Sequence, residues 1–318
     1  MTASDKLKVL LTSAAAKVPL LNALRTAAKR INSSALIVAG DSNSPVVSQY
    51  FADDFWLMPH STKASTNDII AGLVQRKISH VLPSRDGELL FWARLKPQLE
   101  EQGIRVLISP ERAVQSCLDK HEFSNQLISK GFPVIPSFEE PAGDSPLWVV
   151  KERTGAGSQS LGLALDTTAA LQHAAALKQP IFQPYIQGRE ISIDAWLNCE
   201  GKLKANIYRY RVKVQHGESQ ISQTTPLPQY DAMIRDALQT LQLTGPVVMQ
   251  AIIDRQQQLH IIECNCRFGG ASTLGIRAGV DSLYWSLAES CGLDVNAMPF
   301  TPASNPITQV RYAGDLYL

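Results

Sequence analysis

The sequence predicts an α/β protein in which an N-terminal doubly wound parallel-sheet domain is followed by a second region of strands and helices. Three observations carry this prediction. From Leu7 to about Ser109 short apolar runs alternate with helical patterns, the signature of a parallel sheet with crossover helices. Beyond Ser109 that alternation stops, and strands follow one another through polar or glycine-bearing turns. The last of these pairings, GPVVMQAIIDRQQQLHIIECNCRFGG from Gly245 to Gly270, sets two β-branched runs on either side of Asp254 to Gln258, as a hairpin requires.

Composition narrows the function classes. The 318 residues suffice for two or three lobes, and 45% apolar with 19% charged content is ordinary for a soluble chain. A formal net charge of +1 and the lack of any long single-sign run give no electrostatic case for nucleic acid. No stretch approaches the roughly 20 apolar residues of a membrane span, so no membrane partner is expected. Five cysteines, Cys117, Cys199, Cys264, Cys266 and Cys291, sit mostly in apolar stretches and fit reduced thiols in a cytoplasmic protein. Cys264 and Cys266 form a CxC pair with no second cluster at zinc spacing, so a metal-thiolate site is not expected. The run KVLLTSAAA is too short for a signal peptide, with Asp5 before it and Lys17 close behind, and reads as a first strand.

In the N-terminal domain the expected strands are Leu7 to Leu11, Ala35 to Ala39, Phe55 to Met58, His80 to Leu82 and Arg105 to Ile108. Leu20, Leu21, Leu24, Ala27, Ala28 and Ile31 repeat at helical spacing. Thr66 opens a helix through Lys77, and Gly87 to Gln102 forms another. No GxGxxG follows the first strand, so Asp41 reads as a loop residue and not as a ribose-binding acid. Arg85, Asp86 and Glu88 lie at a strand's carboxyl end, where such sheets collect ligands; substrate contact and helix capping by Asp86 both stand as readings. Ser109, Pro110 and Glu111 have the order of a helix start and mark a domain boundary.

Asp119 to Glu122 open a helix that ends at Gly131, and Lys120 by itself reads as solvated surface. Leu147 to Lys151 is a strand delivering Lys151 to the loop ERTGAGSQSLG. Gly155, Gly157, Gly162, Ser158 and Ser160 there allow backbone N–H groups to approach phosphate, although no P-loop pattern is present. Ile181 to Ile186 and Ile191 to Leu197 are strands joined through Gly188, with Pro184 placed at an edge or bulge. Arg209 and Arg211 share one face of the strand Lys202 to Val214, as a phosphate or carboxylate clamp or as the wet face of a sheet. Tyr230 to Leu241, Ser272 to Ala278 and Ser282 to Cys291 read as helices, and Ile307 to Leu318 as a closing strand.

In the hairpin, Glu263 and Asn265 are two apart and share a face, and antiparallel pairing brings Gln250 opposite them. Three converging oxygen donors suit Mg²⁺, which takes its remaining ligands from phosphates, and Arg267 just beyond could meet those phosphates. A buried Glu that only satisfies its Asn neighbour is the alternative.

Taken together, Lys120, Lys151 with its glycine loop, QPYIQGRE, and MQAIID with IIECNCRFGG resemble the ATP-grasp superfamily. The four motifs stand in the family's order from about Ser109 onward, and the preceding domain resembles the one such enzymes carry ahead of the ATP-grasp fold. Within the superfamily the sequence is most similar to carbamoyl-phosphate-synthase-type and related carboxylate–amine ligases, although it is too short for a whole carbamoyl-phosphate synthase. The resemblance implies domains at 1–110, 111–182 and 183–318, the last two being α+β subdomains. It implies an ATP site in which Lys120 and Lys151 contact phosphates, Arg153, Gly155, Gly157 and Ser158 belong to the covering loop, Gln183, Tyr185 and Ile186 read adenine, and Glu190 holds ribose. It further implies Mg²⁺, or Mn²⁺, on Gln250, Glu263 and Asn265. Arg267, Lys151, Arg209 and Arg211 are then the catalytic set of a ligase that phosphorylates a carboxylate and joins it to an amine, releasing ADP. A homodimer is expected by the same likeness. Three positions depart from common family patterns: Gln183 for Glu, Gln250 for Asp and Cys266 for Pro. Gln250 points to the carbamoyl-phosphate type and away from the D-alanine-ligase type. Gln183 and Gln250 motivate an alternative, a non-catalytic nucleotide-binding sensor or assembly subunit.

Overall fold

The computed structural model describes residues 7–61, 66–155, 160–215 and 217–318. The N-terminal domain is a five-stranded parallel sheet of β1 (Lys8–Leu11), β2 (Leu36–Asp41), β3 (Asp54–Leu57), β4 (His80–Leu82) and β5 (Arg105–Val106), in the order β3-β2-β1-β4-β5. Helices α1 (Val18–Ile31), α2 (Thr66–Gln75) and α3 (Asp86–Glu101) supply the crossovers. The central strands β1, β2 and β4 are buried on both faces, which is why they read as continuous apolar runs. One face packs on α1 through Leu20, Leu21, Leu24, Ala27 and Ala28, and the other on α2 and α3 through Ile69, Leu73, Leu89 and Trp92.

Helices α4 (Glu111–Leu118) and α5 (Lys120–Ile128) lead into a three-stranded antiparallel sheet, ordered β7-β6-β8, of β6 (Trp148–Glu152), β7 (Gly162–Leu165) and β8 (Pro180–Pro184). This sheet has its own small core of Trp148, Val150 and Phe182 under α6 (Thr167–Ala174), with Trp148 edge-to-face on Phe182 at 6.5 Å. The large sheet is antiparallel and six-stranded: β9 (Gly188–Leu197), β10 (Leu203–Gln215), β11 (Glu218–Thr225), β12 (Gly245–Asp254), β13 (Leu259–Asn265) and β14 (Thr308–Val310), in the order β13-β12-β9-β10-β11-β14. Around it lie α7 (Asp231–Thr240), α8 (Ser272–Arg277) and α9 (Ser282–Ser290). No described helix is long and apolar enough to cross a membrane.

Several expectations change in detail. Ser109 does not cap α4: its hydroxyl donates to the Thr244 carbonyl at 2.8 Å and accepts the Thr244 N–H, so it ties the domain junction to the start of β12. Asp86 does not cap α3 either. Glu88 does so, taking the N–H groups of Ser84 at 3.0 Å and Arg85 at 3.1 Å, which leaves the Asp86 carboxylate for another partner. The closing strand from Ile307 shrinks to Thr308–Val310, and Tyr312 and Tyr317 beyond it are almost fully exposed. The expected boundary between 182 and 183 falls inside β8, and α4 and α5 join the main core against β13 through Val114, Cys117, Phe123 and Leu127 and not the small sheet. Asp41, expected in a loop, is instead the last residue of β2 and is buried; its carboxylate accepts the Ala15 and Asn43 N–H groups and so joins the segments that follow β1 and β2.

Gly188 marks the passage from the small sheet to the large one. A Cβ there would stand 2.4 Å from the Ile253 carbonyl oxygen, so only glycine lets β9 begin flush against β12.

Candidate active site

Between the small and large sheets lies a cavity of about 610 Å³. Its floor is the β12–β13 hairpin. In the observed register Gln250 faces Glu263 and Val248 faces Asn265, and residues opposed across an antiparallel pair point to one side. A register shift between Gln250 and Ala251 sets two residues of β13, Ile262 and Glu263, against one of β12. This turns Ile262 toward the cavity beside Glu263. The alternate residues Cys264 and Cys266 face the other way and meet the thiol of Cys117 on α4. All three are free and buried, and burial pushes the Cys264 thiol up.

Gln250, Glu263 and Asn265 all line the cavity, with Asn265 Nδ2 donating to Glu263 Oε1 at 3.3 Å. One carboxylate and two amide oxygens on paired strands fit a hard cation that takes its other ligands from phosphate and water. No cluster of three His, Cys, Asp or Glu side chains suited to a metal occurs among the described residues, so a cation here depends on amides and on its ligand's oxygens.

The two lysines enter from different elements. Asp119 caps α5 by accepting the His121 and Glu122 N–H groups, each at 3.0 Å, and so fixes Lys120 at the first turn. Lys120 is buried, and its Nζ donates to the Gly155 carbonyl at 2.9 Å. Gly155, three residues beyond β6, is thereby held by a cation that also lines the cavity. Lys151, on β6, lines the same space. Burial lowers its pKa to about 8, with Glu263 and Glu190 opposing that shift and Lys120 adding to it. A phosphate-bearing ligand needs this lysine protonated. Its affinity is therefore expected to fall about fivefold between pH 8 and 9, as Lys151 loses its proton, and to stay nearly flat for Lys151→Arg. Calorimetric titration with ATP across that range checks this.

At the other end, β8 delivers Gln183, Pro184, Tyr185 and Ile186 to the cavity. Gln183 is buried and donates through Nε2 to the Ile135 carbonyl at 3.3 Å. Pro184 lies on the edge strand of its sheet, as its missing N–H demands. Tyr185 spends its N–H on the Leu147 carbonyl, whereas the Ile186 N–H has no partner among the described residues. Ile135, Val149, Ile252 and Ile262 make the walls here apolar, and Leu161 and Leu163 continue them. These leucines were not singled out from the sequence. Their signal was the alternation Leu161, Leu163, Leu165 directly after the glycine loop. Both are substantially exposed, which suits an aromatic ring that would complete the slot.

The arginines are each bound to a carboxylate. Arg209 is only 3% exposed; its Nε donates to Asp194 at 2.6 Å, and Ser272 holds the other Asp194 oxygen at 2.8 Å. The terminal nitrogens of Arg209 have no hydrogen-bond partner among the described residues, and the residue lines the cavity. Arg211 pairs with Glu190 and donates to the Gly217 carbonyl at 2.6 Å, so the acid expected at ribose already carries one cation. Arg267 pairs with Asp86. Arg153 is not among the lining residues, because its guanidinium is turned to Asp119 and Glu139. Gly155 lines the cavity, while Gly157 and Ser158 lie outside the described residues.

Comparisons with known proteins agree with this architecture. Residues 176–313 match the family model described as ATP-grasp in the biosynthetic pathway with Ter operon, and residues 9–107 match the PylC-like N-terminal domain. No curated protein sequence matches the chain. Among solved structures, the L-amino acid ligase of Bacillus licheniformis is similar at a TM-score of 0.72 and 15% identity, over 94% of this chain and 78% of that one. N5-carboxyaminoimidazole synthetase of Staphylococcus aureus is similar at 0.67 and 13%, over 91% and 78%. The biotin carboxylase domain of 2-oxoglutarate carboxylase from Hydrogenobacter thermophilus, solved as a dimer with MgADP, ADP and bicarbonate, is similar at 0.69 and 16%, over 90% and 69%.

Proposed function

We propose that this chain, an ATP-grasp fold joined to a PylC-like N-terminal domain, is an ADP-forming ligase that activates a carboxylate with ATP and couples it to an amine or similar nucleophile. The observation that carries the reading is the single cavity lined by Lys120, Lys151, Gln183, Glu190, Arg209, Gln250, Glu263 and Asn265, residues from both sheets and from α5.

In this reading adenine enters the apolar slot beneath the β8 edge, where the Ile186 N–H and the Gln183 amide are at hand. Lys120 and Lys151 neutralise the phosphates. A carboxylate oxygen attacks the γ-phosphorus and ADP leaves; the amine nitrogen then attacks the acyl carbon of the acyl phosphate, the C–O bond to phosphate breaks, and inorganic phosphate leaves as the nitrogen gives up a proton. Mg²⁺ held by Gln250, Glu263 and Asn265 would supply Lewis-acid stabilisation of phosphate charge, and Mn²⁺ suits the same oxygens. Arg209 has its Nε edge held by Asp194, so the free terminal nitrogens are preorganised for the carboxylate or the acyl phosphate without reorganisation during the step. Gln250 in place of an acid favours a metal set of the carbamoyl-phosphate type.

The presence of one formal carboxylate among the three metal donors favours a second reading, a nucleotide-binding subunit without turnover. ADP release measured against panels of carboxylates and amines separates the two. Release that requires one member of each panel supports the ligase. Calorimetric Mg·ATP binding with no release for any pair assigns the second reading.

A further inference from the structure

We propose that Asp86 is a positioning residue for phosphoryl transfer, contributed by the N-terminal domain and acting through Arg267; this rests on the ATP site proposed above. Arg267 stands two residues beyond Asn265 and lines the cavity. Its Nε donates to Asp86 Oδ1 at 2.7 Å, its Nη2 pairs with Asp86 Oδ2, and its Nη1 donates to the Phe268 carbonyl at 3.0 Å. This bidentate contact joins residues 181 positions apart in the chain. A guanidinium carries five N–H donors in a planar fork. Three are used here, which leaves one on each terminal nitrogen without a partner among the described residues. Asp86 thus fixes the plane of the fork and leaves its outer edge for an anion with paired oxygens.

The carboxylate is itself held from behind. Asp86 is the first residue of α3, is only 8% exposed, and sits where a helix N-terminus favours negative charge. Helix capping is done by Glu88, which also accepts from Thr12 Oγ1 at 2.8 Å and from Trp92 Nε1 at 3.2 Å. Lys17 Nζ donates to Ser84 Oγ at 2.7 Å, tying the β1 loop to the turn that carries Asp86. The turn is therefore satisfied without Asp86, whose side chain is committed to Arg267. A long arginine without this anchor must be ordered by the ligand, and displacement by about 1 Å in such a site costs on the order of 10²-fold in rate. Catalytic geometry in the C-terminal sheet is then set by the N-terminal domain.

The test uses full-length wild type, Asp86→Asn, Arg267→Lys and the double variant. Calorimetry measures binding of Mg·ADP alone and of Mg·ADP with fluoroaluminate, which mimics the transferred phosphoryl group. Asp86→Asn is expected to bind Mg·ADP within about twofold of wild type but to lose about tenfold of the affinity that fluoroaluminate adds. Asp86→Asn should have no further effect on that gain once Arg267 is Lys, because both act through one contact. Where turnover is measured, kcat should fall with KM for ATP little changed. A fluoroaluminate gain equal to wild type in Asp86→Asn, or losses that add in the double variant, would overturn the assignment. A parallel loss of Mg·ADP affinity and of melting temperature would likewise overturn it, by showing a structural role only. Absence of turnover in wild type would count against the ligase reading and leave the binding result to decide the role of Asp86.

Discussion

Replacing Glu263 with glutamine is expected to lower ATP turnover by about 10² to 10³, the usual cost of deleting one preorganised charge-stabilising group. Glutamine keeps the shape and one oxygen but removes the only formal charge among the three donors on the hairpin. Neither Gln250 across the register nor Asn265 on the same face can replace it. The loss should shrink at raised Mg²⁺ if it lies in cation binding and persist if it lies in the chemical step. A second consequence follows from the charges. Glu263 opposes the burial that lowers the Lys151 pKa to about 8, so Glu263→Gln should move the alkaline decline in ATP affinity to lower pH. Turnover of Glu263→Gln equal to wild type at limiting Mg²⁺ would remove Glu263 from the site.

Arg209→Met is expected to destabilise the fold by about 3 to 5 kcal/mol, because it leaves the Asp194 carboxylate buried with its cation gone. Asp194 and Arg209 have side-chain exposures of 6% and 4%, and the Ser272 hydroxyl is the other partner of Asp194. A fall in melting temperature of roughly 4 to 8 °C is the corresponding signal for a chain of this size. Adding Asp194→Asn should restore most of it, since the stranded charge and not the lost methylene packing dominates the cost. A single variant as stable as wild type would show that water or another group takes the place of Arg209 beside the Asp194 carboxylate. This prediction concerns stability alone and holds whatever the ligand is.

Much of the secondary structure was legible because burial imposes a period. The parallel strands, α1 with its five buried apolar positions, and the β12–β13 hairpin were all anticipated close to their observed limits. Elements without an apolar period were not. Strand β11 reads ESQISQTT, and the residues it buries include Ser219, Ser222 and Thr224, so its inward face carries little hydrophobic signal. Helix α6, TTAALQHA, buries only Ala170 and Ala174, and β7 is four residues long behind a glycine-rich loop. Those elements exist because neighbouring strands and the Trp148 cluster cover them, which no local window records.

For the candidate site, residue types and local facing were determined by the sequence alone. Alternation put Glu263 and Asn265 on one face and Cys264 and Cys266 on the other, and the Asp119 cap placed Lys120 at a helix start. The tertiary structure decided which charges meet. Arg209 found Asp194, Arg211 found Glu190, and Arg267 found Asp86 across the domain junction. Sequence spacing encodes period and therefore the face a side chain takes, but an ion pair between distant elements depends on how sheets and helices stack. Burial then makes that choice binding, because a desolvated arginine must have a carboxylate within reach.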